Sequence, residues 1–156
     1  MVRGYVIPDI IFVCTGNICR SPMAEGILRQ RWLDAGISDR TVSSMGVQGL
    51  DESPATDLAQ QVCAENGIDI SEHRSRPISG EELQAADLIL CMEPGHVSFL
   101  NTFYPWHSDR IALLGAWPGK PKRKHTVQDP MGGSLSLYQK VYGIIEAHID
   151  RIFPQL

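Results

Sequence analysis

No apolar run in the chain approaches the roughly 18 residues of a membrane-crossing helix, and the N-terminal stretch lacks the charged-then-apolar layout of a secretory signal. The expectation is a protein without membrane insertion that works in the cytoplasm. Positive charge is scarce: 14 Lys and Arg against 18 Asp and Glu leave a net charge of -4, which speaks against a nucleic-acid partner. Cysteine is sparse too. The four, at positions 14, 19, 63 and 91, show no paired framework of the secreted kind and suit a reducing compartment. Cys14 and Cys19 are loosely spaced for zinc and no second close pair of Cys or His follows them, so no metal is expected. Repeats, low-complexity stretches and linkers are missing as well. The 156 residues therefore read as a single domain, 1–156, long enough to bury about two thirds of its unfolded surface.

What the chain does have is one dense stretch, Cys14-Thr15-Gly16-Asn17-Ile18-Cys19-Arg20-Ser21, between the apolar run Ile10-Ile11-Phe12-Val13 and Pro22. A strand delivers this loop and a helix leaves it. Pro is favoured at the first helical position, so Ser21-Pro22 reads as N-cap and N1. A loop on a helix N-terminus carries unpaired N–H groups and a partial positive charge, and successive inward amides make an anion nest that suits a phosphate dianion. Cys14 opens the loop and Arg20 closes it. Thiols beside helix N-termini and guanidinium groups are the ones that react as thiolates. A guanidinium grips two phosphate oxygens through its planar fork, so Cys-x5-Arg spacing offers one phosphorus both a nucleophile and a clamp.

Elsewhere the pattern predicts strands at Asp9–Val13, Thr41–Ser44, Leu88–Cys91 and Ile111–Leu114, with Met1–Pro8 a loose lead-in. Helices are predicted from Pro22 to Ala35, from Ser53-Pro54 to Asn66-Gly67, from Pro94 onward, and over the apolar spacing of Leu135, Tyr138, Val141, Tyr142, Ile145, Ile149 and Ile152. The stretch 69–80 reads as loop, and Lys120, Lys122, Arg123 and Lys124 as a solvated loop. Cys63 and Cys91 read as core residues. Strands alternating with helices give an α/β fold: a four-stranded parallel sheet flanked by helices on both faces, with the phosphate-binding loop after the first strand. In such sheets ligands bind beyond the carboxyl ends of the strands, where Cys14 falls.

The run from Val13 to Glu25, together with Asp129-Pro130 near the C-terminus, resembles the signatures of the low-molecular-weight protein tyrosine phosphatases, in the family's order. Ser44, His73 and Leu88–Met92 also look familiar. The resemblance implies a cysteine-dependent phosphatase without cofactor or metal that acts on a phosphorylated protein, phosphotyrosine favoured, and releases inorganic phosphate. It implies Cys14 as nucleophile, Arg20 as clamp and Asp129 as the acid for the leaving oxygen. Thr15, Gly16, Asn17, Ile18, Cys19 and Ser21 would form the phosphate-binding loop. Asn17 would be left-handed, held by groups such as Ser21, Ser44 and His73, with Ser21 also donating to the thiolate. Ile18, Leu50 and Met131 would be pocket walls, and Cys14 with Cys19 a redox pair whose approach must satisfy disulfide geometry.

One departure matters. Members acting on phosphotyrosine often carry Tyr after the Asp-Pro pair, whereas this chain reads Asp129-Pro130-Met131-Gly132-Gly133, which resembles a bacterial branch including protein arginine phosphatases. That branch usually has Thr where Ile18 stands, and Ile18 favours the flat face of a phenol over a guanidinium. Arsenate reductase chemistry needs further mobile cysteines, which Cys63 and Cys91 do not suggest. A module that merely binds phosphate would have been free to lose Cys14 or Asp129.

Overall fold

A computed structural model describes residues 9–49, 51–120 and 122–156, without the side chain of Arg123. The predicted lead-in Met1–Pro8 and the pocket wall Leu50 lie outside the described residues. Four strands form one sheet: β1 (Asp9–Cys14), β2 (Thr41–Gly46), β3 (Leu88–Cys91) and β4 (Ile111–Leu113). Their order is β2-β1-β3-β4 and every pair is parallel. Among the described residues five α-helices accompany them: α1 (Arg20–Asp34), α2 (Asp57–Glu65), α3 (Gly80–Ala85), α4 (Pro94–Phe103) and α5 (Leu135–Ile152).

Successive strand residues point to opposite faces, and here both faces are covered. Ile10 and Phe12 of β1 and Leu88 and Leu90 of β3 join one core with Ile27, Leu28, Val62, Tyr138, Val141 and Ile145. Ile11, Val13, Ile89 and Cys91 join the other with Leu83, Leu100 and Ile111. This is why β1 and β3 are apolar without alternation. The chain leaves β1 toward β2 on one side and returns to β3 on the other, so the carboxyl end of β1 is the switch point where such sheets open a crevice. Cys14 is the last residue of that strand.

Strands β1, β2 and β4 end one or two residues from their predicted ends, and three helices depart from the prediction, each for a reason in its own bonding. Helix α1 begins at Arg20 with Cys19 at the cap and no side-chain cap bond, not at Pro22 with Ser21 as N-cap, because the Ser21 hydroxyl is engaged by Cys14 and Asn17. Helix α2 begins at Asp57, not at Ser53-Pro54. Ser53 exchanges hydrogen bonds with Ser75, donating its N–H to Oγ and accepting from the Ser75 N–H, and that extended pairing delays the helix until Thr56 caps the Ala59 N–H. Helix α3 was not predicted. Its signal is Ser79-Gly80-Glu81-Glu82, a capping-box pattern in which the Ser79 hydroxyl accepts from Glu82 N–H.

The predicted C-terminal helix is present with Tyr138, Val141, Tyr142, Ile145, Ile149 and Ile152 buried, packed against α1 and α2. Cys63 and Cys91 are fully buried; burial pushes the Cys63 thiol up to about 12 and raises that of Cys91 as well. Two inert thiols give no support to disulfide shuttling. Lys120, Lys122 and Lys124 are exposed. Among the described residues no helix is long and apolar enough to cross a membrane, and no group of three or more His, Cys, Asp or Glu is placed to hold a metal.

Candidate active site

The loop after β1 is held in shape at Asn17, whose φ of 59 lies in the left-handed region that Asn tolerates. Its side chain is fully buried and fully bonded. Nδ2 donates to Ser21 Oγ at 2.8 Å and to Ser44 Oγ at 2.9 Å, and Oδ1 accepts from the Arg76 N–H at 3.0 Å. The Asn17 carbonyl lies 2.7 Å from His73 Nε2. Ser44 in turn donates to Glu25 Oε1 at 2.6 Å. These bonds connect the loop to β2 and to α1, and a buried network with every member satisfied rigidifies what it surrounds. Gly46, at the end of β2, belongs to the same construction: a Cβ there would stand 2.5 Å from the Thr15 carbonyl oxygen and 2.9 Å from the Asn17 nitrogen.

Inside this frame Cys14 Sγ lies 2.9 Å from Ser21 Oγ. Arg20 is almost wholly buried, at 1% exposure, and its charge is compensated. Nη1 donates to Glu93 Oε2 at 2.7 Å and to the Val127 carbonyl at 2.9 Å. Nη2 donates to Thr15 Oγ1 at 3.3 Å and stands 3.6 Å from Asp129 Oδ2. With Nη1 anchored, the guanidinium plane is fixed toward the loop. A buried cation left unpaired would be strongly destabilising.

Asp129 is exposed and sits on a turn built by its own neighbours. Its Oδ1 accepts from the Met131 N–H at 3.0 Å, and the Gly133 N–H bonds the Pro130 carbonyl at 2.8 Å. Gly132, at φ 80, takes the left-handed turn position that glycine occupies without strain. Ser134 then caps α5. One cavity of about 240 Å³ is lined by Cys14, Thr15, Gly16, Ile18, Cys19, Arg20, Gln48, Asp129 and Met131. The predicted nucleophile, clamp, acid and two of the three pocket walls therefore share one space. Asn17, Ser21, Ser44 and His73 stand behind it as support.

Cys19 also reaches this cavity, with Sγ 3.3 Å from Tyr138 Oη and 3.8 Å from Met131 Sδ. Burial raises its pKa, so it is a thiol at neutral pH. Four participants are not singled out by the sequence: Gln48, Arg76, Glu93 and His96, whose Nε2 lies 2.9 Å from Thr15 Oγ1. Glu93 carried a signal, since it follows β3 at the same edge of the sheet as Cys14, where ligands gather. Arg76 and Gln48 carried none.

A buried arginine and a thiol facing one concave loop, at the switch point of a parallel sheet, define an α/β phosphatase. The low molecular weight phosphotyrosine protein phosphatase model matches residues 9–156, and the chain belongs to that family, whose members are phosphomonoester hydrolases. The low molecular weight protein-tyrosine-phosphatase Etp of Escherichia coli K12 is 35% identical over 138 residues, 88% of this chain and 87% of that protein. A protein-arginine-phosphatase of Geobacillus stearothermophilus is 33% identical over 147 residues, 94% of this chain and 95% of its own length. Among solved structures, a low molecular weight protein tyrosine phosphatase from T. tengcongensis superposes with a TM-score of 0.87 at 38% identity, covering 94% of this chain and 98% of that one.

Proposed function

We propose that this chain hydrolyses phosphotyrosine in proteins, with Cys14 as nucleophile, Arg20 as phosphate clamp and Asp129 as acid and base. The observation that carries the reading is the shared cavity of about 240 Å³, which thiol, guanidinium and carboxyl line together with the apolar side chains of Ile18 and Met131. Cys14 Sγ attacks phosphorus as the ester P–O bond breaks, and the tyrosyl oxygen takes the Asp129 proton. Asp129, now a carboxylate, takes a proton from water as that water attacks phosphorus. The S–P bond breaks, inorganic phosphate leaves, and the Ser21 hydroxyl donates to the departing thiolate. Arg20 and the loop amides hold the equatorial oxygens throughout.

The arginine-phosphatase reading is favoured by the Met131-Gly132-Gly133 run. Ile18 on the cavity wall favours the phenol. A branched apolar wall gains about 25 cal/mol per Å² against a ring and leaves guanidinium N–H groups facing hydrocarbon, at about 1 to 3 kcal/mol for an unpaired donor. On matched peptides, kcat/KM is expected to favour phosphotyrosine by roughly one to two decades. Ile18→Thr is expected to narrow that ratio toward phosphoarginine. A wild-type preference for phosphoarginine, or a ratio unmoved by the substitution, contradicts the assignment. The same reading keeps Cys14 and Cys19 as a redox pair, with Cys19 the resolving thiol after peroxide oxidises Cys14; their shared cavity supports it. The setting we propose is the cytoplasm, with a phosphorylated protein as the partner.

A further inference from the structure

Thr15 has a partner outside the loop. Its Oγ1 lies 2.9 Å from His96 Nε2 as well as 3.3 Å from Arg20 Nη2, and Thr15 lines the cavity shared by Cys14, Arg20 and Asp129. A guanidinium only donates, so Arg20 occupies one of the two hydroxyl lone pairs. What the single hydroxyl hydrogen does then depends on which nitrogen of His96 carries a proton.

Two observations decide the tautomer. Glu93 Oε1 stands 3.9 Å from the same Nε2, and a carboxylate beside a ring nitrogen favours an N–H there over a lone pair. Nδ1 is buried and has no partner among the described residues. Buried backbone N–H donors are left unpaired more rarely than carbonyl acceptors, and by the same preference a proton on Nδ1 is the costlier arrangement. The charged ring, which needs both protons, is disfavoured: burial and Arg20 oppose it, Glu93 and Asp129 favour it, and His96 is held down to about 4. The ring is therefore neutral at pH 7, with its hydrogen on Nε2.

We infer that His96 is a positioning residue that donates its Nε2–H to Thr15 Oγ1 and so turns the Thr15 hydroxyl hydrogen into the loop cavity, where it bonds a phosphoryl oxygen. With both lone pairs taken, by Arg20 and by His96, the hydroxyl has only its hydrogen left to give. A donor of fixed polarity is thus added to the loop amides and Arg20. Glu93 and His96 act as a pair from the start of one helix. His96 lies in the first turn of α4 with its N–H on the Glu93 carbonyl at 3.0 Å; Glu93 orients Arg20, and His96 orients Thr15. The inference rests on the reading of the loop as the phosphate site.

A double-mutant cycle on p-nitrophenyl phosphate, with inhibition by inorganic phosphate measured alongside, tests it. Thr15→Val and His96→Leu are each expected to lower kcat/KM by roughly 10- to 100-fold and to weaken phosphate inhibition. Because both break one chain, the double variant is expected to lose no more than the worse single. His96→Gln, whose amide N–H can replace Nε2–H, and Thr15→Ser, which keeps the hydroxyl, are expected to retain most activity. Losses that multiply in the double variant would overturn the inference, since His96 would then act by another route. Full activity of Thr15→Val overturns it without any substitution at His96, so the test survives a His96→Leu chain that does not fold. A wild-type chain that releases no phosphate removes the functional reading itself, an outcome distinct from an active wild type with multiplying losses.

Discussion

Cys14→Ser is expected to abolish turnover, by on the order of 10³-fold or more, while the folded chain still binds phosphate. The reason lies in what the side chain does not carry. Asn17, Ser44, His73 and Arg76 hold the loop through bonds that do not involve Cys14, and Arg20 is anchored by Glu93 and Val127. A serine hydroxyl at position 14 retains a polar partner in Ser21 Oγ, now 2.9 Å from the sulfur. Thermal unfolding and phosphate affinity measured on the variant should therefore stay close to wild type. Substantial residual turnover, or loss of phosphate binding along with activity, contradicts the assignment of Cys14 as nucleophile.

Asp129→Asn carries the second large effect, and its size should depend on the substrate. A general acid contributes about 10² to 10⁴-fold, chiefly where the leaving oxygen is a strong base. Across a series of aryl phosphates, the variant is expected to lose most with the poorest leaving groups and least with nitrophenol. The turn should survive, because the Asn side-chain oxygen can still accept the Met131 N–H that Asp129 Oδ1 accepts at 3.0 Å. The carboxyl is exposed and stands 3.6 Å from Arg20 Nη2, so removing its charge leaves Arg20 paired with Glu93. Equal slowing across the series would indicate a positional rather than an acid role.

The loop was legible because it is contiguous. Its strand, its Cys-x5-Arg spacing and the Asn that takes φ 59 lie within the twelve consecutive residues 9–20, and short-range chemistry governs each of them. His96 was not legible, and Glu93 was legible only as a residue that follows a buried strand. They reach Arg20 and Thr15 only because β3 pairs beside β1 in register, with Cys91 opposite Val13, a fact of sheet order that no local pattern encodes. The displaced start of α2 is likewise non-local, because Ser53 looks like a cap residue but Ser75 claims it, whereas Ser21 is claimed within its own loop by Cys14 and Asn17. The Ser79 capping box was readable and shows that a six-residue helix is easily lost between a loop and a strand.

A phosphate bound covalently to Cys14 is the intermediate the mechanism requires, and rapid quenching in acid after mixing with p-nitrophenyl phosphate, whose leaving group needs least help from an acid, tests it most directly. Asp129→Asn is the chain to use, because without a base to activate water the second step should slow and the intermediate accumulate. Mass spectrometry of the quenched chain is expected to find phosphate on the sulfur of Cys14, at a level that falls as the chase proceeds. Phosphate on another residue, or free phosphate released with no labelled chain at any time point, would contradict the account.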